Sequence, residues 1–222
     1  MTPTATKRLR RRRPVDVRSR ALYPFAWRTP LLVVPGLNGS PPEHWQSRWL
    51  RQFPEMRRVE QADFARPDLA RWAETVALAV QAAEEPPIVI AHSFGCLATV
   101  GAVRHHGVAL AGALLVAPAD PARFDIASAM LDAALPVPSA LVASTNDSWL
   151  KFVKAGALAV QWGSRFVGIG AAGHINAESG HGEWPEGLAL LRDLAERAAA
   201  AGTVRAVVPS AARVAPAAHG RP

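Results

Sequence analysis

Residues 86–97, Pro86-Pro87-Ile88-Val89-Ile90-Ala91-His92-Ser93-Phe94-Gly95-Cys96-Leu97, join a short apolar run to a helical one through a serine set between small residues. Residues 86–91 read as a buried parallel strand, and residues 96–103 are apolar on every face, as a helix packed against such a sheet must be. Small-x-Ser-x-Gly at a strand-to-helix junction is a nucleophile elbow, a tight turn that holds the serine hydroxyl above the sheet edge. The turn strains the serine backbone, and bulky residues two places to either side would collide with the adjoining strand and helix. Ala91 and Gly95 are small enough. With alanine in the first small place the five-residue pattern carries little weight alone, and the flanking strand and helix supply the rest.

Upstream, residues 29–35 form a first apolar strand that ends in Gly36-Leu37-Asn38-Gly39-Ser40. Ser40 as N-cap, Pro41 in the first turn and Glu43 three residues on predict a capping box. The helix that follows places Trp45, Trp49 and Phe53, with Leu50, along one face. Residues 56–64 hold at most a short second strand. Leu69, Trp72, Val76, Val80 and Ala83 have helical spacing behind an Asp68 N-cap, and Gly107 is a natural C-cap for the elbow helix.

Downstream, strands are expected at 109–116, 138–143 and 165–169, helices at 149–161 and from 185, and a short helix within 121–135, a connection too small for a large lid. Strands alternating with helices predict an α/β fold, a three-layer sandwich around a mostly parallel sheet, with minimal or no cap. Residues 29–200 are read as one domain, between a disordered Arg-rich extension (1–28) and a low-complexity disordered tail (201–222).

The net charge of +7 invites a nucleic-acid reading, but residues 1–28 hold nine basic residues against Asp16, and the remainder is within one charge of neutral. The high pI therefore describes the extension, and no specific nucleic-acid partner is expected of the domain. The extension reads as dispensable, with a basic arm for RNA or anionic membrane as the competing reading. It lacks the apolar core of a secretory signal, and no segment approaches the roughly 20 apolar residues that span a bilayer. One cysteine, Cys96, offers neither a disulfide nor a zinc cluster; a buried packing role and a cytoplasmic location are expected.

A hydroxyl is a poor nucleophile at neutral pH, so Ser93 needs a base within hydrogen-bond reach and a third group to fix that base's tautomer. Asp147 and His174 follow Ser93 in chain order, each at the C-terminal end of a proposed strand, and those ends share one edge of a parallel sheet. Asp120, also behind a strand, is the competing acid, and His181 the competing base. His92, beside the nucleophile, points away from it and is read as a packed or hydrogen-bonding support. Backbone N–H groups of Leu37, in the glycine-rich turn, and Phe94, after the serine, are the candidate oxyanion donors. Such a site takes a small ester or amide and needs no metal or cofactor. A binding protein on the same scaffold, or an acyltransferase, is the alternative.

Gly36-Leu37-Asn38-Gly39-Ser40 with Glu43-His44-Trp45, Gln61-Ala62-Asp63-Phe64 with Pro67 and Trp72, Ala91-His92-Ser93-Phe94-Gly95, residues 143–147, and Gly173-His174-Ile175-Asn176 through Trp184-Pro185 together resemble the YdeN and retinoblastoma-binding-protein-nine family of small serine hydrolases. The resemblance covers residues 30–200. It implies an α/β-hydrolase fold with a Ser-Asp-His triad, and places those roles on Ser93, Asp147 and His174. The pocket-protein motif Leu-x-Cys-x-Glu of the animal members is absent, because Cys96 has Phe94 and Ala98 in the flanking places. That partner is not expected.

Overall fold

The computed structural model describes residues 29–206. The expectations for the Arg-rich stretch 1–28 and for residues 207–222 lie outside the described residues. Six strands, β1 (Leu31–Val34), β2 (Met56–Arg58), β3 (Ile88–His92), β4 (Gly112–Val116), β5 (Ser139–Ala143) and β6 (Arg165–Gly168), form one parallel sheet in the order β2-β1-β3-β4-β5-β6. Helices α1 (Trp45–Gln52), α2 (Leu69–Gln81), α3 (Phe94–His106), α4 (Phe152–Gln161) and α5 (Pro185–Ala206) connect and cover it.

Every residue of β1, β3, β4 and β5 is buried, so these strands read as continuous apolar runs, as a sheet covered on both faces requires. Alternate residues divide between two cores. Leu32, Val89, Leu115 and Leu141 pack against α2, α3 and α4; Leu31, Ile90, Val116 and Val142 pack against α1 and α5. This is the expected three-layer sandwich. The second core is anchored by three indoles: Trp45 meets Trp49 and Trp184 edge-on at 4.6 and 4.9 Å between centroids. Such aromatic pairs contribute about 0.5–1.5 kcal/mol each beyond their buried area.

The strand order reverses between β1 and β3. Chain leaving these two neighbours turns in opposite directions and opens a crevice at their C-terminal ends, where ligands of open α/β sheets bind. The glycine-rich turn leaves β1 there, and Ser93 leaves β3. Between β4 and β5, residues 121–135 contain only two short 3₁₀ turns, Pro121–Phe124 and Ser128–Leu131, so among the described residues this connection forms no cap over the crevice.

Among the boundaries that differ from expectation, three bear on the site or on the end of the domain. The helix after the glycine-rich turn starts at Trp45, not behind Ser40, and its cap is His44, whose Nδ1 accepts the Gln46 N–H at 3.2 Å. Pro42 explains this, since a residue before proline is pushed out of the helical region and Pro41 cannot open a helix. Ser40 instead turns inward at φ 53 and donates its hydroxyl to Gln46 Oε1 at 2.7 Å. Next, α4 starts at Phe152, behind an extended Lys151, and the Trp149 N–H is instead held by the Asp147 carboxylate. Finally, α5 runs to Ala206, beyond the boundary at 200, since the alanines at 198–201 are the strongest helix formers available.

Gly95 shows how closely α3 meets the sheet. A Cβ there would lie 2.5 Å from the Val34 carbonyl oxygen and 2.6 Å from that of Pro35, both backbone atoms that no rotamer change can move. Helix propensity favours alanine over glycine by about 1 kcal/mol, but overpacking against fixed backbone costs about 1–3 kcal/mol or more. Gly95→Ala is therefore expected to destabilise the protein, with a urea midpoint below wild type; an unchanged or raised midpoint contradicts the close approach.

Candidate active site

Ser93 sits between β3 and α3 at φ 54, ψ −122, a region that L-residues avoid at a cost of about 1–3 kcal/mol. The position is over-determined: the Ser93 N–H donates to the Val116 carbonyl at 3.0 Å, and the Cys96 N–H returns to the Ser93 carbonyl at 3.1 Å. Chain leaving β1 abuts the serine, because a Cβ on Gly36 would lie 2.7 Å from Ser93 Cβ and 3.3 Å from Oγ. Only glycine lets the turn come this near. The next residue, Leu37, opens a 3₁₀ turn, and Phe94 opens α3. The first N–H groups of such elements have no preceding turn to donate to, which leaves them for a ligand.

His174 Nε2 lies 2.9 Å from Ser93 Oγ, and its Nδ1 lies 3.0 Å from both carboxylate oxygens of Asp147. A carboxylate only accepts, so Nδ1 carries the proton and Nε2 is free to receive one from the serine. The Asp147 side chain is 3% exposed and that of His174 9%, so the pair works in a largely dry setting where its interactions are strengthened. Two loops carry the pair, and polar residues stitch them together. Gly173 N–H donates to Asn146 Oδ1 at 2.7 Å and Ala172 N–H to Ser144 Oγ at 2.8 Å.

The structure thus brings Ser93, Asp147 and His174 together and leaves their competitors out. Asp120 is bound to Lys154 at 2.6 Å. Slight burial opposes its ionisation, but the Lys154 hydrogen bond, the Ala122 N–H and the charges of Lys154 and Arg123 hold its carboxyl below the usual value. His181 shares a 3.3 Å contact with Ser179 Oγ in the loop before α5 and does not line the cleft. Cys96 is fully buried, and burial pushes its thiol well above its ordinary value, so it packs rather than reacts.

Sequence reasoning missed the polar residues at the start of α1. Gln46 is fully buried and donates to the carbonyls of Val34 (3.2 Å) and Ile90 (3.0 Å), tying β1 to β3 beneath the crevice. A glutamine on the same face as Trp49 and Phe53 was the available signal, since a buried amide must find partners. His44 and His92 lie edge to face at 4.7 Å, and His92 faces His174 at 4.9 Å. Burial, then the fields of His174 and His181, depress the His44 imidazole to about 3. Burial, with His44 and His174 beside it, keeps His92 neutral as well, outweighing its hydrogen bond to the His174 carbonyl. Both are support groups, not bases.

The crevice above Ser93 holds about 220 Å³, between Leu37 and Asn38 on one side and Trp149, Ala177 and Glu178 on the other. Among the described residues no cluster of histidine, cysteine and acidic side chains could hold a metal ion, and no helix is long and apolar enough to cross a membrane.

Comparison with known proteins agrees with this architecture. A solved YdeN-like protein of Pectobacterium atrosepticum is 41% identical, with a TM-score of 0.72 over 76% of this chain and 91% of that one. The ydeN gene product of B. subtilis is 22% identical, with a TM-score of 0.61 over 74% and 97% of the two chains. Est1E of Butyrivibrio proteoclasticus, 14% identical with a TM-score of 0.61 over 80% and 92%, shares the fold. No curated protein sequence matches the chain. The family model described as serine hydrolase matches residues 31–193, most of the chain. With its six-stranded parallel sheet and its uncapped crevice, the chain belongs to the YdeN-like serine hydrolase family of the α/β-hydrolase fold.

Proposed function

We propose that this protein is a serine esterase, with Ser93 as nucleophile, His174 as general base and acid, and Asp147 as the group that orients and supports the imidazole. The observation that carries the reading is the continuous line from Ser93 Oγ through His174 to Asp147, at 2.9 and 3.0 Å, beginning on a serine in a strained turn. As Ser93 Oγ attacks the ester carbonyl carbon, its proton passes to His174 Nε2 and the carbonyl oxygen gains the negative charge. The N–H groups of Leu37 and Phe94 are the donors for that oxyanion. Collapse expels the alcohol, which takes the proton from His174 and leaves an acyl group on Ser93. Water then repeats the sequence, with His174 as base, to release the acid and restore the hydroxyl. No step calls on a metal or cofactor.

The crevice is smaller than the roughly 300–1,000 Å³ of a drug-sized ligand pocket, so the reading is of short acyl groups, as esters in preference to the less reactive amides. A fluorophosphonate should label Ser93 alone, and p-nitrophenyl acetate should be turned over faster than esters of eight or more carbons. Labelling of another residue rejects the assignment. Neither labelling nor turnover by folded protein favours the reading of a binding protein on a hydrolase scaffold.

A further inference from the structure

The ring of His174 stands on a strained stretch of chain. Ile175 adopts φ 48, a conformation that a β-branched residue takes only when its surroundings impose it, and Gly173 lies at φ 58. β6 has already ended at Gly168, so no sheet ladder holds this segment. Two buried side chains grip it instead. His92 Nε2 donates to the His174 carbonyl at 2.9 Å, and Trp45 Nε1 donates to the Ile175 carbonyl at 2.9 Å. Because a carbonyl only accepts, the proton of neutral His92 sits on Nε2. Trp45 is wholly buried and His92 5% exposed.

Both donors come from rigid elements that also carry the other reacting groups. His92 is the last residue of β3 and the immediate neighbour of Ser93. Trp45 is the first residue of α1, close behind the turn that holds Leu37, and Gln46 beside it is bonded to the ends of β1 and β3. We propose that His92 and Trp45 are positioning residues, which by holding the consecutive carbonyls of His174 and Ile175 keep the His174 ring in line with Ser93 Oγ and the Asp147 carboxylate. This rests on the reading of His174 as the base. Misplacing a reacting group by about 1 Å can cost around a hundredfold in rate, so the clamp acts on turnover more than on substrate affinity.

The test compares His92→Phe, His92→Gln and Trp45→Phe with wild type and His174→Ala, using p-nitrophenyl acetate, thermal melts and the downfield proton resonance of His174 Nδ1–H. His92→Phe and Trp45→Phe should lower kcat by about 10- to 100-fold with little change in KM, and broaden that resonance. His92→Gln, whose amide N–H can reach the same carbonyl, should recover most of the rate. If Trp45→Phe does not fold, the two His92 variants carry the comparison. An inactive His174→Ala beside folded His92→Phe of unimpaired kcat overturns the clamp alone. An active His174→Ala overturns the base reading, and the clamp with it.

Discussion

Ser93→Ala is expected to lower ester turnover by about 10⁴-fold or more, and Asp147→Asn by about 10⁴-fold. The first removes the atom that must carry the acyl group. The second leaves a side chain of the same shape that cannot stabilise the imidazolium and that allows the wrong tautomer. Each loss corresponds to about 5.5 kcal/mol or more of transition-state stabilisation. Stability separates this effect from misfolding. Alanine at 93 keeps the strained backbone at φ 54, whereas glycine relieves it, so Ser93→Gly should be more stable than Ser93→Ala by about 1–3 kcal/mol in urea, though equally inactive. If Ser93→Ala retained a tenth of wild-type turnover, the nucleophile would have to be sought elsewhere.

Acid should destabilise the protein from about pH 6.5 downward. His44, depressed to about 3, and His92, held well below its ordinary value, stay neutral when folded but take up protons in the unfolded chain once the pH drops below about 6.5. The unfolded state then binds more protons, so stability is full above about 6.5 and is lost as the pH falls toward the folded values. For His44 this amounts to about 1.4 kcal/mol per pH unit between about 6.5 and about 3, and His92 acts in the same direction. Urea melts at pH 7.5, 6, 5 and 4 should show the decline, and His44→Phe should make it shallower. A stability that stayed level from pH 7 to pH 5 would contradict the neutral burial of both rings.

Much of this was legible in the chain. Continuous apolar runs in β1, β3, β4 and β5 announce a sheet covered on both sides, and the small residues at 91 and 95 mark the turn that presents Ser93. Asp147 and His174 could be placed beside it because the ends of parallel strands converge, so strand position stands in for distance. Asp120 obeys the same rule, however, and the structure places it against Lys154, outside the residues that line the crevice. The cap expected at Ser40 fails for a local reason, the proline at 42, while the buried amide of Gln46 that accepts from the Ser40 hydroxyl is a tertiary feature.

Sequence alone determined the layers, the strand-to-helix junction at Ser93 and the set of residues able to meet there, because hydrophobic period and small-residue spacing are local properties of the chain. Tertiary structure alone decided that His44 and His92 are buried neutral and that Trp45 and His92 hold the carbonyls of Ile175 and His174. The reason is physical. A hydrogen bond such as that from Trp45 to the Ile175 carbonyl, 130 positions apart, depends on where the backbone has already been folded, and nothing in the neighbourhood of either residue along the chain encodes it.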